Sequence, residues 1–501
     1  MLQAVQGLPL LAAPTVLLAA VVVYRAARAW AARRRILRLG GYAPQIPTAL
    51  PWGIGILFNV LRNTLQHQTL RCWTQWLDNT PNHGTVEAHI LSRRCVFTAD
   101  PDNIKAVLAT QFDDFGKGDD FHATWRRFLG DSIFTTDGRQ WAASRQLIRP
   151  MFVKDRVSDL QVMERHVQRL LAAMVIEEED GPQRIVNMSD LIFRYSLDVA
   201  TDFLLGDAVG SLETPAQGFE TAFEHVQHIQ ALIVRMGRAH ILIPRGSFNR
   251  SIRSIDAFVR PYIDSALRIK DSNNMTTKSE PDYTFLHALS HHTRDPQLIR
   301  DQLISILIAG RDTTASALSW TVYELARHPE VVTRVRKEIL DMVGLDCPTY
   351  SQLKEMKYLQ NILRETLRLY PIIPSNVRVA LRDTHLPRGG GPDGLSPIGI
   401  LKNTQIFYSP LYLHRRDEFY PPGCSDHLHF RPERWETWQP RPWTYLPFNG
   451  GPRVCIGQQF ALTEMAYTLV RLLQRFERME NWAVGETPVL ATNISVRPGE
   501  D

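Results

Sequence analysis

The stretch Phe448-Asn449-Gly450-Gly451-Pro452-Arg453-Val454-Cys455-Ile456-Gly457 contains three glycines and one cysteine, and an apolar helical pattern from Phe460 to Phe476 follows it. The glycines permit turns and close backbone approach. A cysteine thiol titrates near ~8.5, so it acts as an anionic ligand only where N–H groups or positive charge stabilise the thiolate. A loop that leads into a helix N-terminus offers both. The pattern is therefore typical of a thiolate metal ligand at Cys455, or of a buried structural cysteine in a glycine turn.

The composition narrows the class of protein. The chain has 501 residues, of which 44% are hydrophobic and 22% charged, so it can bury a large core. Its five cysteines are scattered, with no Cys-x-x-Cys pair, which argues against a disulfide framework and against a zinc site. The net charge of +5 is modest and forms no basic block beyond the N-terminal arginines. Nucleic acid is therefore excluded as an expected partner.

The N-terminus carries an uncharged apolar segment, residues 7–24, which would span roughly 27 Å as a helix. No basic residue precedes it, whereas six follow closely: Arg25, Arg28, Arg33, Arg34, Arg35 and Arg38. By the positive-inside rule this predicts an uncleaved transmembrane anchor with the bulk of the chain in the cytosol, and a cleaved signal peptide is the alternative. Residues 25–53 are predicted to form a basic, proline-rich linker, and residues 54–501 the catalytic domain.

The rest of the chain is mainly helical by pattern. From about Asp155 to His328 apolar residues recur at three- and four-residue steps, with breaks near 206–218 and 272–282. Strand-like runs occur at four places: 85–98, 376–386, 405–409 and 490–496. The glycine-rich segment 388–394 has no phosphate-loop context and is predicted to be a turn between strands.

A long helix, predicted from Pro296 to His328, contains Ala309-Gly310-Arg311-Asp312-Thr313-Thr314. Gly310 inside a helix costs about 1 kcal/mol relative to alanine, so we expect a packing or ligand reason for it. Ala309 and Thr313 share one face, where small residues would open a groove over a flat cofactor. The Thr313 hydroxyl and the Asp312 carboxylate are candidates for proton transfer. The alternative is a buried helix with back-bonded threonines.

Two further groups of residues accompany these motifs. Glu365 and Arg368 stand at i and i+3 in a helix predicted over 353–370, and Arg434 is placed to complete a three-member ion network that supports the cysteine loop. Trp141 and Arg145 stand at i and i+4. With Arg378 and Arg453 they are predicted to bind carboxylates by charge-assisted hydrogen bonds, and the alternative is amphipathic packing.

Phe448, Gly451, Arg453, Cys455 and Gly457 match the haem-binding loop of the cytochrome P450 family, and the other motifs occur in that family's order. The chain resembles the family from the N-terminal segment to about Val496. The resemblance implies a mainly helical haem-thiolate fold with small β-sheets, preceded by one transmembrane helix. It also implies haem b with Cys455 as iron ligand. Phe448 would shield the sulfur from water, and Gly457 would permit the turn of the loop. Trp141, Arg145, Arg378 and Arg453 would hold the propionates, and Ala309, Asp312 and Thr313 would lie on the distal side.

The same resemblance implies a monooxygenase that takes electrons from NADPH through NADPH-cytochrome P450 reductase and acts with dioxygen on a small apolar substrate. The expected location is the endoplasmic reticulum membrane, with a single membrane pass and a cytosolic catalytic domain.

The segments 308–314, 386–394 and 413–416 resemble, more narrowly, the fungal microsomal alkane and fatty-acid terminal hydroxylases. Position 309 is alanine, whereas some animal fatty-acid hydroxylases carry a glutamate that esterifies the haem, so we expect no covalent attachment. The substrate entrance is expected at 115–125 and 219–243. Tailoring of a polyketide or terpenoid is the main alternative function, and a haem-thiolate isomerase or dehydratase and a non-enzymatic haem sensor are further ones.

Overall fold

The computed structural model describes residues 8–48, 50, 53–80, 84–91, 93–153, 158–174, 185–214, 218–268, 284–482, 489–492 and 495–499. Its helices are α1 (Leu8–Leu39), α2 (Ile54–Leu65), α3 (Thr69–Leu77), α4 (Pro101–Lys105), α5 (Asp119–Leu129), α6 (Gly138–Ile148), α7 (Gln161–Met174), α8 (Met188–Leu205), α9 (Gly218–Met236), α10 (Gly246–Arg268), α11 (Phe285–His292), α12 (Pro296–Leu325), α13 (Pro329–Met342), α14 (Tyr350–Glu355), α15 (Lys357–Leu369), α16 (Pro410–Leu413), α17 (Arg434–Thr437) and α18 (Gln458–Arg475). The strands are β1 (Thr85–Ile90), β2 (Arg93–Thr98), β3 (Phe115–Gly116), β4 (Asn376–Ala380), β5 (Thr384–Gly390), β6 (Ser396–Ile400), β7 (Gln405–Tyr408), β8 (Leu490–Thr492) and β9 (Val496–Pro498).

Helix α12 forms the axis of the helical part. Asp295 caps it by accepting hydrogen bonds from the N–H groups of Gln297 and Leu298, and Pro296 occupies its first turn. Most of its residues are buried, and these include charged ones such as Arg311, Asp312 and Glu324. It packs against α8, α10, α15 and α18 and separates two hydrophobic clusters. Such a helix is held on all sides and can position a site rigidly.

The strands form a smaller β part. One sheet has the order β1-β2-β7-β4-β3, in which β2 and β7 are parallel and the other pairs are antiparallel. The hairpins β5-β6 and β8-β9 stand apart as two-stranded sheets. The mainly helical fold with small sheets is confirmed, and each strand-like run in the sequence contains a strand.

Some boundaries differ from the prediction. The helix predicted over 353–370 is two helices, because the backbone at Met356 turns to ψ 87° while its side chain is fully buried. Helix α12 ends at Leu325, three residues before the predicted end. The predicted break at 272–282 lies outside the described residues, and the segment 388–394 forms part of the β5-β6 hairpin as expected.

The N-terminal helix continues past the predicted anchor and ends against the globule. Helix α1 runs through Arg25 to Leu39, so part of the predicted linker is helical. Ile36 is buried, Arg35 pairs with Asp383, and the Gly399 N–H donates to the Gly41 carbonyl at 2.9 Å. Within the described part of the chain, no helix combines the length and the apolar character needed to cross a bilayer. The membrane anchor at 7–24 stays a prediction.

Candidate active site

The cysteine loop is a compact turn held by its own backbone. The Cys455 N–H donates to the Phe448 carbonyl at 3.0 Å, and the Val454 N–H donates to the Gly451 carbonyl at 3.0 Å. Gly451 has φ +66°, and a Cβ there would lie 1.8 Å from the carbonyl oxygen of Leu108. Gly457 directly precedes α18. The loop is thus pressed against the 106–110 segment at a position where only glycine fits.

We expect Gly451→Ala to lower the unfolding free energy by about 2 kcal/mol or more and to reduce the fraction of protein that retains haem, because backbone strain and a steric clash act together. Gly344→Ala is the matched control, since Gly344 also has φ +66° but its Cβ would contact nothing within 4 Å. Thermal unfolding and haem content of both variants measure the difference. Equal losses in the two variants would show that the close approach to Leu108 has no energetic importance.

The Cys455 thiol has accessible surface but crowded surroundings. Burial among neighbouring atoms raises the pKa of the thiol, and the Gly457 N–H and the Arg145 charge oppose this only in part. The thiol is thus accessible at its surface while many protein atoms lie around it. Burial thus opposes the thiolate form of Cys455, and a bound metal cation would favour that form.

A group of cations surrounds Asp137 close to the loop. Arg453 donates to the Asp137 carboxylate at 2.6 Å, its guanidinium lies 4.6 Å from the Trp141 ring centre, and its Nε is buried without a partner in the described structure. Burial lowers the pKa of Arg453 to about 10, against the raising effect of Asp137. Arg145 stacks over the same indole at 5.9 Å and interacts with the Cys455 charge. The structure thus brings Trp141, Arg145 and Arg453 together.

Arg378 approaches the group from strand β4. Its side chain is buried, and its Nη1 donates to the Asn376 side chain at 3.2 Å and to the Val377 carbonyl at 2.9 Å. Its charge acts on both Arg453 and Lys117. An orphaned guanidinium Nε and several buried cations around one carboxylate fit an anionic cofactor with two carboxylates, such as haem.

Lys117 belongs to this group, although no sequence motif indicated it. Its backbone N–H and that of Gly118 donate to Asp137, at 2.9 Å and 2.8 Å, and its ammonium lies 4.5 Å from the Phe121 ring centre. The sequence signal was weak: a lysine between two glycines after a two-residue strand. The first residues of the predicted entrance segment 115–125 therefore contribute to the cation group.

Helix α12 opens at Ala309, Gly310 and Thr313. These three residues keep partial exposure on a helix whose other central positions are buried, and a Cβ on Gly310 would contact nothing within 4 Å. The Thr313 hydroxyl donates to the Ala309 carbonyl at 2.5 Å. Gly310 therefore borders open space, and close packing does not explain the glycine at this position.

Asp312 lies on another face of the helix from its neighbour Thr313. It is buried, 3.3 Å from Arg311 Nη1, and Arg311 Nη2 lies 3.0 Å from Glu224 of α9. Burial raises the pKa of Asp312, and Arg311 opposes this. Asp312 and Thr313 are thus adjacent in sequence, but the Asp312 carboxylate belongs to an ion network that the sequence did not indicate.

The predicted network around Glu365 is fully assembled. Arg368 donates to both carboxylate oxygens of Glu365 at 2.8 Å, and Arg434 Nε donates to one of them at 3.3 Å. The Trp435 indole and the Arg431 backbone N–H each donate at 3.0 Å. Sequence analysis missed the last two donors, which arise because α17 is packed against α15.

Another buried carboxyl, that of Glu464 on α18, was also missed. Burial raises its pKa to about 8, with a hydrogen bond from Ser196 opposing, and its Oε1 has no partner in the described structure. The folded pKa lies above the unfolded value, so the folded state binds the proton more tightly. Its stability should therefore fall as the pH rises from about 4.5 to about 8 and level off beyond.

We expect Glu464→Gln to raise the unfolding free energy at pH 7 by up to about 3 kcal/mol, at ~1.4 kcal/mol per pH unit. The gain should be small at pH 5 and should grow up to pH 8. Unfolding of the wild type and the variant across this range measures it. Glu330→Gln, at an exposed glutamate, should show no such trend. A gain independent of pH would contradict ionisation as the cause.

Taken together, an accessible cysteine in a glycine-rich loop, a buried cation group and an open helix face with an adjacent acid fit a haem-thiolate oxygenase. Comparison with known proteins gives the family: the cytochrome P450 family profile matches residues 44–498, so the chain belongs to the cytochrome P450 family. Its relatives support a monooxygenase that carries haem with a thiolate iron ligand.

Three relatives and one solved structure illustrate the match. The chain is 47% identical over 485 residues to cytochrome P450 monooxygenase pvhE of Talaromyces variabilis, covering 93% of this chain and 90% of the relative. It is 41% identical to cytochrome P450 52A13 of Debaryomyces hansenii (77% and 76% covered) and 39% identical to cytochrome P450 52A6 of Candida tropicalis (86% and 84%). The crystal structure of the cytochrome P450DA heme domain superposes with a TM-score of 0.74 at 21% identity, covering 91% and 95%. The last comparison establishes the fold alone.

Proposed function

We propose that this monooxygenase hydroxylates an apolar carbon chain, with the terminal carbon of a fatty acid or alkane as the preferred position. Cys455 binds the haem iron, Phe448 shields the sulfur from water, and Gly457 permits the turn of the loop. Trp141, Arg145, Arg378 and Arg453 hold the propionates, and Ala309 lies over the haem. When bound there, haem b supplies the activation of dioxygen. Glu365, Arg368 and Arg434 support the cysteine loop.

The observation that carries the proposal is the open face of α12. Ala309 and Gly310 have small or no side chains, Thr313 is partly exposed beside them, and buried Ile306 precedes them by one turn. This face accommodates an apolar chain without presenting a charge to it. Ile373 and Val377 also keep partial exposure, whereas Ile372 is packed in the core.

Proton delivery is assigned to Asp312 and Thr313. The raised pKa of Asp312 lets the carboxyl hold a proton more readily than an exposed aspartate does. Arg311 links it to Glu224, whose side chain is 56% exposed, which offers a connection to solvent. The Thr313 hydroxyl would have to leave the Ala309 carbonyl to donate a proton on the open face of the helix.

Thr313→Ala should lower product formed per oxygen consumed by about tenfold and raise hydrogen peroxide release, because it removes the hydroxyl that donates the proton. Haem binding should be unchanged, because the substitution removes only the hydroxyl and one methyl group and leaves the cysteine loop and the cation group intact. Thr321→Ala is the matched control: Thr321 is back-bonded to the Ala317 carbonyl at 2.8 Å on the same helix, away from the open face. Oxygen, peroxide and product are measured in one reaction. If Thr313→Ala forms as much product per oxygen consumed as the wild type, the Thr313 hydroxyl does not deliver the proton.

Electron supply and location follow the same proposal. NADPH-cytochrome P450 reductase provides the two electrons. A single membrane pass at residues 7–24 attaches the enzyme to the endoplasmic reticulum, with the catalytic domain in the cytosol. The exposed apolar surface of α1 supports the membrane attachment. The side chains of Val16, Leu17, Leu18 and Val23 are each more than 60% exposed, which is unusual for apolar residues so close in sequence.

The substrate class is tested by titrating the reconstituted enzyme with alkanes and fatty acids of graded chain length, followed by product analysis with NADPH and reductase. The expected result is a substrate-induced haem spectral change that strengthens with chain length, and oxygen inserted at the terminal carbon. A response to polyketides or terpenoids alone would reassign the enzyme to tailoring of such compounds. Turnover of peroxides without NADPH would identify an isomerase or dehydratase instead.

A further inference from the structure

The turn that precedes the cysteine loop has a tryptophan where glycine is the usual residue. The Thr444 N–H donates to the Arg441 carbonyl at 3.1 Å, Pro442 is the second residue of this four-residue turn, and Trp443, the third, has φ +70°. Proline at the second position and a positive φ at the third are characteristic of a type II turn, whose third residue is normally glycine or asparagine. A bulky residue at such a φ strains the backbone, so its side chain is expected to make a compensating contact.

The contact of the Trp443 side chain is with the cysteine loop. A Cβ on Gly450 would lie 2.7 Å from Cζ3 and 3.1 Å from Cη2 of the indole. Gly450 has φ −155°, an extended conformation that any residue adopts. The indole ring, and not the backbone conformation, therefore excludes a side chain at position 450.

The neighbouring glycine makes a similarly close contact. A Cβ on Gly451 would lie 1.8 Å from the carbonyl oxygen of Leu108, and Leu108 belongs to the buried cluster against which Trp443 packs. Both glycines lie within the turn that the Cys455 N–H closes by donating to the Phe448 carbonyl. The indole and the Leu108 carbonyl thus each hold one of two adjacent glycines in the cysteine loop.

We propose that Trp443 is a positioning residue of the iron ligand: its ring holds Gly450 in place, and thereby fixes the loop around Cys455 and limits the access of water to the sulfur. This inference rests on the proposed function, because it takes Cys455 as the ligand of haem iron. Solvent access to a metal ligand and the hydrogen bonds around it set the reduction potential of the site.

The test compares holoprotein of the wild type with Trp443→Gly, which removes the ring together with the backbone strain, and with Trp443→Phe, which keeps an aromatic ring. The reduction potential is measured, and so is the rate at which the red-shifted carbon monoxide complex of the reduced protein converts to a form without thiolate ligation. Trp443→Gly should convert at least about tenfold faster, as expected when a partly buried aromatic side chain is lost. Its potential should rise, because the reduced site carries one more negative charge, which water stabilises. Trp443→Phe should stay within about threefold of the wild-type rate.

Leu91→Gly is the matched control, because Leu91 is also a large residue at positive φ (+47°), in the turn between β1 and β2. It should match the wild type in potential and in conversion rate. Wild-type values of both quantities in Trp443→Gly overturn the proposal, and so do equal changes in Trp443→Gly and Leu91→Gly. If Trp443→Gly does not fold, Trp443→Leu, which keeps apolar bulk without a flat ring, takes its place with the same outcomes. A wild type that never forms the red-shifted complex would overturn the proposed function and, with it, this inference.

Discussion

Glu365→Gln is expected to destabilise the protein by about 3–5 kcal/mol, because it strands two buried guanidinium groups without their carboxylate. Glu365 and Arg368 are both fully buried, and they are joined by two hydrogen bonds of 2.8 Å. Burial alone would lower the pKa of Arg368, but the hydrogen bonds and charge of Glu365 raise it above the ordinary value. Each of these two charges is therefore stable in its buried position only while the other is present.

The loss should extend to the cysteine loop. Glu365 holds Arg434 and the Trp435 indole, and the segment that follows α17 leads directly into the loop. Asp341→Asn is the control, since it breaks the exposed pair with Lys337 and should cost at most about 0.5 kcal/mol. Thermal unfolding and haem content are the readouts. A cost for Glu365→Gln within 1 kcal/mol of that control would contradict the supporting role.

Local spacing explains why this network could be predicted. Glu365 and Arg368 are one helical turn apart, so their contact follows from the periodicity of α15. Arg434 could be proposed because a buried carboxylate needs further donors. Trp435 and the Arg431 N–H were missed because their positions depend on how α17 docks.

Contacts between distant segments account for the other omissions. Lys117 comes close enough to Arg378 and Arg453 to interact electrostatically because β3 pairs with β4 and the 106–110 segment lies against the cysteine loop. Asp312 was expected beside Thr313, and the structure adds the Arg311 link to Glu224 on α9. No sequence spacing between α9 and α12 indicates that contact.

Cys455→Ala is expected to abolish monooxygenase turnover, at least about a thousandfold, because it removes the thiolate that the proposal assigns to the iron. Haem content should fall less than turnover, since Arg378 and Arg453, to which the proposal assigns the propionates, remain. Cys347→Ala, at an exposed cysteine remote in sequence from the loop, is the control and should keep wild-type activity. Comparable turnover in Cys455→Ala and the wild type would exclude Cys455 as the ligand.

The carbon monoxide difference spectrum of the reduced protein tests the haem-thiolate site most directly. The wild type should show the strongly red-shifted Soret band of a thiolate-ligated carbon monoxide complex, and Cys455→Ala should lack it while Cys347→Ala retains it. A wild-type spectrum of the histidine-ligated type, or the same red-shifted band in Cys455→Ala, would contradict the assignment of Cys455 as the iron ligand.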